Sequence, residues 1–123
     1  MRTKLIYLAS PYSHPSEVVR EHRYYRICSL AAAILNRCPD VSVFGPISQS
    51  HGIAKHLPDE LNCSDFWLPI DFTVLDRCDE VWVAQTMEGW AESGGVNAEI
   101  ERANALGIPV RAVREGLTEY GDG

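Results

Sequence analysis

The sequence has no cluster of basic residues. It contains 11 Lys and Arg residues against 17 Asp and Glu residues, which gives a formal net charge of −6. No positive stripe is available to neutralise a phosphate backbone, so we expect no nucleic-acid polymer as a partner. A small anionic ligand is still compatible with this charge, because it needs only a local positive potential.

Paired cysteines and long apolar runs are also missing. The four cysteines are far apart and form no C-x-x-C pair, which favours reduced thiols over a disulfide framework or a metal site. His51 and His56 are five residues apart, a spacing that does not place both on one helix face, so no zinc site is expected. No apolar run approaches the roughly 20 residues of a membrane helix, and the N-terminus lacks a signal-peptide core. These absences predict a cytoplasmic protein with no membrane association and no metal site.

Three familiar motifs are absent as well. Neither G-x-x-x-x-G-K-[ST] nor G-x-G-x-x-G follows the first predicted strand, so nucleoside triphosphates and dinucleotides would lack their phosphate cradle. No G-x-S-x-G elbow is present for a serine hydrolase. A flavin mononucleotide protein is a weaker alternative, because the loop after the first strand is not rich in Ser and Thr.

Short apolar segments alternate with amphipathic ones along the chain. Strands are predicted over residues 5–9, 41–44, 80–84 and 110–113. Helices are predicted over 16–36, over 64–77 with Pro69 as a kink or as the true start, and from Ser93 to a glycine cap at Gly107. Residues 47–61 are expected to be irregular, with one short helical turn at most.

This alternation predicts a single-domain, three-layer α/β/α fold over residues 1–115. The sheet should be parallel and Rossmann-like or flavodoxin-like, with about four to five strands joined by right-handed crossovers. Residues 116–123 are expected to be a flexible tail. Ligands of such sheets bind beyond the carboxyl ends of the strands, where segments 10–15, 45–49 and 85–95 would meet.

A carboxylate lies on the predicted buried face of the last helix. Residues at helical spacing define that face: Val96, Ile100, Ala103 and Leu106. Glu99 falls within it, close to the helix start, where the macrodipole favours the ionised form by roughly 0.3–1 kcal/mol. This position predicts a functional carboxylate. The alternative is a glutamate on the helix surface that pairs with Arg102.

Two further residues could act together with Glu99. Asp71 is expected in or near the first turn of the preceding helix, where an aspartate is either functional or only a capping group. Two carboxylates about 5–5.5 Å apart can carry out a double-displacement glycosyl transfer. Tyr7 lies in the middle of the first strand and is either core packing or a hydroxyl directed at a site.

Candidate ligand-binding groups surround these residues. Ser93, Gly94 and Gly95 offer a hydroxyl and unobstructed N–H groups at a helix start, which suits an anion, although the serine could serve only as a cap. Arg20 and Arg23 lie at the ligand end of the first helix and could hold a phosphate, or pair with glutamates of the same helix. Ser10 opens the loop after the first strand.

Several of these segments together resemble the nucleoside 2-deoxyribosyltransferase superfamily, including its deoxynucleoside 5′-monophosphate N-glycosidases. The resemblance covers most of the chain, and its most specific element is Ser93-x-Gly95-x-x-x-Glu99. The other matching segments are Ile6-Tyr7-Leu8, Ala9-Ser10-Pro11, Ile70-Asp71-Phe72 and Gly107-Ile108-Pro109-Val110.

The resemblance implies an enzyme that cleaves the N-glycosidic bond of a nucleoside or nucleoside 5′-monophosphate without a cofactor. It implies that Glu99 is the nucleophile, that Asp71 assists protonation of the base, and that Tyr7 orients the nucleophile. Ser93 and the following glycines would lie near the sugar 5′ position, and relatives imply a homo-oligomer. The chain is short for a transferase, so hydrolysis is expected over transfer. A non-catalytic nucleotide-binding or sensing module is the alternative.

Overall fold

A four-stranded parallel sheet lies at the centre of the computed structural model, which describes residues 1–113. The strands are β1 (Lys4–Ala9), β2 (Val41–Phe44), β3 (Glu80–Ala84) and β4 (Val110–Val113). The helices are α1 (Glu17–Arg37), α2 (Pro46–Ala54), α3 (Ser64–Leu75) and α4 (Gly94–Leu106), and a short 3-10 turn covers Asp59–Leu61. The predicted α/β class and four of the four to five strands are confirmed. The tail predicted for 116–123 lies outside the described residues.

The strand order β2-β1-β3-β4 places two helices on each face of the sheet. On β1, Ile6 and Leu8 pack in the cluster that contains α1, whereas Tyr7 and Ala9 pack in the cluster that contains α3 and α4. Helix α2 contacts α1 and completes the first face. Both faces of β1 are therefore buried, as expected for a parallel sheet, and the three-layer α/β/α architecture is confirmed. Strand β2 is added on one side of β1 and strand β3 on the other, so the winding order reverses between β1 and β3. The carboxyl ends of β1 and β3 therefore frame the crevice in which such folds bind ligands.

Serine side chains cap the helix starts near that crevice, and a glycine cap ends α4 at the opposite edge of the sheet. The Ser16 hydroxyl accepts a hydrogen bond from the Val19 N–H, and the Ser93 hydroxyl accepts one from the Val96 N–H at 3.2 Å. Gly107 ends α4 with φ at 73°, as the predicted left-handed cap requires. Leu106 is 47% exposed, so the predicted buried face of α4 ends one turn earlier, at Ala103.

Two predictions between β2 and β3 are wrong: that residues 47–61 are irregular, and that Asp71 lies in or near the first turn of its helix. Residues 46–54 form the regular helix α2, which Pro46 begins at a position where its fixed φ is already helical and its missing N–H costs nothing. Pro69 lies inside α3 and does not mark its start. Asp71 is consequently the eighth residue of α3, two turns from the N-terminus, and does not cap that helix.

None of the four cysteines, all of which lie within the described residues, forms a disulfide. Within residues 1–113, no helix combines the length and apolar character needed to cross a membrane.

A buried carboxylate forms hydrogen bonds with side chains near the amino ends of three strands. Glu80 is 7% exposed and accepts hydrogen bonds from Lys4 Nζ at 2.9 Å, Trp82 Nε1 at 2.8 Å and Arg111 Nε at 3.1 Å. Burial by itself would raise the pKa of Glu80, but these three donors hold it below its ordinary value. This network lies at the edge of the sheet opposite the crevice, so we interpret it as structural.

We expect the Glu80→Gln substitution to lower the free energy of unfolding by about 1–3 kcal/mol, because it removes a charged acceptor from three donors. Since the pKa of Glu80 is lowered in the folded chain, its contribution is fully present above the unfolded carboxyl pKa and is lost as the pH falls through the folded value. Urea unfolding at pH 7 and at pH 3 measures both effects. Glu92→Gln, at an exposed position, is the control; equal stability of the two variants at pH 7 would contradict this role.

Candidate functional site

A hydrogen bond joins the middle of β1 to the second turn of α4. The Tyr7 hydroxyl donates to Oε2 of Glu99, and Tyr7 and Glu99 are only 0% and 4% exposed. The Arg102 side chain instead binds Asp76, with nitrogen–oxygen distances of 2.9 and 2.6 Å. The inward orientation predicted for Glu99 is therefore confirmed, and the surface pairing with Arg102 is not formed.

Asp71 brings a second carboxyl group to this position. It is 7% exposed, and its Oδ1 has no hydrogen-bond partner among the described residues. Its charge acts on both neighbours, since it raises the pKa of Glu99 and that of Tyr7. Tyr7, Asp71 and Glu99 thus form one electrostatically coupled group, the carboxyl–tyrosine cluster. The three residues that the sequence predicts as catalytic are brought together.

Burial dominates the ionisation of this cluster. It raises the pKa of Glu99 to about 8, although the hydrogen bond from Tyr7 opposes the shift. Burial also raises the pKa of Asp71 to about 6, and it keeps the Tyr7 hydroxyl protonated far beyond its ordinary range. Desolvation therefore outweighs the helix dipole, which by itself favours the ionised form of Glu99.

The start of α4 has the local structure expected of a cap, with open space beside it. The Ser93 side chain is the N-cap and accepts the Val96 N–H, so its own proton is free to be donated. A Cβ added at Gly94 would meet nothing within 4 Å, and one at Gly95 would meet only Ser93 Oγ at 3.9 Å. Packing among the described residues does not require glycine here. The first two residues of α4 leave room for close approach of a ligand to the backbone.

No hydrogen bond or ion pair among the described residues joins Ser10 or Arg20 to the carboxyl–tyrosine cluster. Ser10 directly follows β1 and is 5% exposed, and its Oγ has no partner among the described residues. The Arg20 guanidinium donates to the carbonyl oxygens of His14 and Pro15, and α1 packs on the face of the sheet opposite α3 and α4. No contact described for residues 1–113 joins Arg20 to Glu99 or Asp71. Arg23 similarly donates to the carbonyl of Ser13 at 3.0 Å.

A second polar cluster was missed by the sequence analysis. Buried His51 of α2 contacts the hydroxyl of Tyr12 through Nδ1 and the carboxylate of Glu21 through Nε2. The ring of Tyr24 stacks on His51 at 4.0 Å. We call these four residues the histidine cluster. Sequence spacing gave no signal for it, because its members come from one loop and two helices, and α2 was not predicted.

The carboxyl–tyrosine cluster combines groups that general acid and nucleophilic catalysis require. Two carboxyls with different pKa values lie beside a tyrosine hydroxyl that stays protonated and donates to one of them, all shielded from water. Such a set can stabilise developing positive charge and exchange one proton. No group of three or more His, Cys, Asp or Glu side chains within residues 1–113 is arranged to hold a metal ion.

Comparison with known proteins gives a family but no activity. No curated protein matches the chain. One family model matches residues 4–115, which includes all four strands and every candidate site residue. On that match, the chain belongs to the family described as a domain of unknown function, DUF1937.

Proposed function

We propose that this protein cleaves the N-glycosidic bond of a nucleoside or nucleoside 5′-monophosphate, with Glu99 as the nucleophile. The observation that carries the proposal is the buried hydrogen bond from Tyr7 to Glu99 beside Asp71. The resemblance to nucleoside 2-deoxyribosyltransferases and the flavodoxin-like strand order support it. Hydrolysis is proposed in preference to transfer.

The proposed reaction has two displacement steps. The ionised Glu99 attacks the anomeric carbon and forms a glycosyl ester while the carbon–nitrogen bond breaks, and the protonated Asp71 gives its proton to the departing base. Water then attacks the anomeric carbon, the bond between that carbon and the Glu99 oxygen breaks, and the water proton goes to the Asp71 carboxylate; the sugar is released and the Glu99 carboxylate is restored. Tyr7 donates to one oxygen of Glu99, which leaves the other oxygen for the attack.

The cluster can supply the charge state that this reaction needs. The positive charge that develops on the sugar stabilises the adjacent Glu99 carboxylate. In the free protein, the Glu99 carboxylate lacks this stabilising charge. Oδ1 of Asp71, which has no described partner, is available to a nitrogen of the base. Both features favour a reaction whose transition state is cationic and whose leaving group is basic.

The pH dependence of kcat/KM should be bell-shaped. Activity requires ionised Glu99, with a pKa of about 8, and protonated Asp71, with a pKa of about 6. The state with ionised Glu99 and protonated Asp71 is a minority form, and its population is greatest near pH 7, midway between the two pKa values. The rate profile should bend at about pH 6 and about pH 8. Chromatography of the released base between pH 4.5 and 9.5 measures the profile. Circular dichroism at each pH verifies folding, and a rate that rises steadily beyond pH 9 would contradict the assignment.

One observation favours a second function, a nucleotide-binding module without turnover. With its pKa raised to about 8, Glu99 is mostly protonated in the free protein at neutral pH, and a neutral carboxyl group can serve as a hydrogen-bond partner. A panel of ribo- and deoxyribonucleosides and their 5′-monophosphates separates the two functions. Free base in the chromatogram indicates the enzyme, and thermal stabilisation by a ligand that stays intact indicates the binding module.

A further inference from the structure

We propose that Arg23 is a positioning residue of the candidate site, where its guanidinium joins the two loops that flank the crevice and holds them at a fixed separation. These loops are residues 10–16, after β1, and residues 85–93, after β3. The link itself is formed in the free protein, whereas its consequence for ligand binding rests on the proposed function.

The Arg23 guanidinium contacts one residue of each loop. Its Nη1 donates a hydrogen bond to the carbonyl oxygen of Ser13 at 3.0 Å. Its Nη2 lies against the backbone of Gly89, since a Cβ added there would be only 2.8 Å from Nη2 and 3.7 Å from Cζ. Glu21, an alternative partner on the same helix, contacts His51 instead. One side chain of α1 therefore joins the two loops.

The backbone conformation of Gly89 permits this close approach. Its φ is 89°, which L side chains rarely adopt. Gly89 is the third residue of a turn that the Trp90 N–H closes on the Met87 carbonyl at 3.3 Å, and a positive φ at that position is typical of a type II turn. A methyl group at Gly89 would occupy the space of the guanidinium and displace it.

The loop after β3 is a firm support for the link. Met87 is buried in the cluster on the α1 face of the sheet, whereas Trp90 packs in the cluster on the opposite face. Asn97 of α4 donates from Nδ2 to two carbonyl oxygens of the loop, each at 2.9 Å. Gly89 lies between Met87 and Trp90, so the backbone that meets the guanidinium is anchored on both sides.

The loop after β1 is held mainly by side chains. No backbone–backbone hydrogen bond within the described part of the chain involves residues 10–15. The carbonyl oxygens of residues 13–15 accept from Arg20 and Arg23, and Tyr12 belongs to the histidine cluster. Among these contacts, those of Arg23 supply a connection to the opposite loop.

A fixed separation of the loops lowers the cost of binding a ligand between them. A loop that the ligand must order weakens binding by the free energy of that ordering. The loop after β1 carries Ser10, and the loop after β3 leads to Ser93, so both sides of the crevice present candidate ligand groups. Arg23 thus acts on ligand affinity through the loops and not by contact with the reacting atoms.

Nitrogen-15 relaxation of the ligand-free protein tests the link. Arg23→Met keeps most of the side-chain stem and removes every donor, so we expect the order parameter of the Ser13 amide to fall from about 0.85 to below about 0.6. The Gly89 amide should change little, because its loop is anchored. Arg26→Met, at an exposed position of α1, is the matched control and should leave Ser13 unchanged. An unchanged Ser13 in the Arg23→Met protein would overturn the proposal.

A substitution on the opposite loop gives an independent test of the same link. Gly89→Ala should also lower the order parameter of Ser13, because the added methyl group displaces the guanidinium. In the Arg23→Met background, Gly89→Ala should have no further effect on Ser13, although the backbone strain at Gly89 is the same in both backgrounds. An equal effect in the two backgrounds would contradict the link.

Calorimetric binding tests the consequence for the site. The ligands are adenosine, cytidine, guanosine and uridine, their 2′-deoxy forms and the 5′-monophosphates of all eight, on Glu99→Gln protein to prevent turnover. Arg23→Met should raise the Kd of the neutral nucleosides at least about tenfold and leave the melting temperature nearly unchanged. Arg26→Met should stay within about twofold, as for an ordinary surface change.

The pattern of losses separates positioning from direct contact. A loss confined to the 5′-monophosphates would identify a contact between Arg23 and phosphate and would overturn the positioning role, as would unchanged Kd values. A lower melting temperature with unchanged affinity would make Arg23 a purely structural residue. If no nucleoside or nucleotide binds, the proposed function fails, and the order parameter of Ser13 alone decides whether Arg23 joins the loops.

Discussion

Glu99→Gln should abolish base release, lowering kcat/KM by at least about a thousandfold, because an amide cannot form the glycosyl ester. Glutamine has the shape of protonated glutamate and can still accept the hydrogen bond from Tyr7. Since the raised pKa of about 8 leaves Glu99 mostly neutral at pH 7, the substitution should leave the melting temperature nearly unchanged. Chromatography of the free base and a thermal melt measure the two effects on the same sample.

The control for this experiment lies two residues along the same helix. Glu101 is exposed, so Glu101→Gln removes the same charge from α4 without touching the cluster. Activity within about twofold of wild type is expected there, as for an ordinary surface change. Wild-type activity in the Glu99→Gln protein would remove Glu99 from the reaction. A large fall in the melting temperature would instead identify it as a structural group.

Asp71→Asn should reduce kcat/KM by about 100- to 10,000-fold on natural nucleosides, the range for loss of a general acid. An asparagine keeps the size of the side chain but has no acidic proton for the departing base. The same variant should be nearly unimpaired on a p-nitrophenyl riboside, whose leaving group needs no proton. Glu99→Gln should be inactive on both substrates.

This difference between substrates separates a catalytic acid from a structural carboxyl. If Asp71 only shaped the pocket, Asp71→Asn would slow both substrates equally. Asp65→Asn, at an exposed position in the first turn of α3, is the matched control and should affect neither. Removing the Asp71 charge should also lower the pKa of Glu99, since that charge contributes to its rise. The acidic limb of the pH profile on the p-nitrophenyl substrate would report that pKa.

Local sequence was sufficient to predict the strands and the caps. Apolar runs bounded by turns predict β1 to β4 within one residue, and Ser93 and Gly107 predict both ends of α4. Glu99 could be placed inside because helical spacing from Val96 and Ala103 fixes its direction, and both of these residues are buried. Strands, caps and the direction of a helical side chain depend on residues a few positions away, so the local sequence pattern predicts them.

The missed features depend on residues that are distant in the chain. The depth of Asp71 in α3 followed from whether Pro69 would begin the helix or lie inside it, which tertiary packing decides. The ionisation of Glu99 depends on how much water the sheet and α3 exclude, and a helix-dipole argument cannot supply that quantity. The contact of His51 with Tyr12 spans 39 residues, and no periodicity relates them.

The short chain segment from β1 into the following loop limits the distance between the two clusters. Tyr7 belongs to one and Tyr12 to the other, and they are separated by only five residues of chain. Even a fully extended backbone of that length covers at most about 18 Å. The Cα atoms of Tyr7 and Tyr12 cannot be farther apart than this limit. Inserting or deleting even one residue between Tyr7 and Tyr12 would therefore change the spacing between the two clusters.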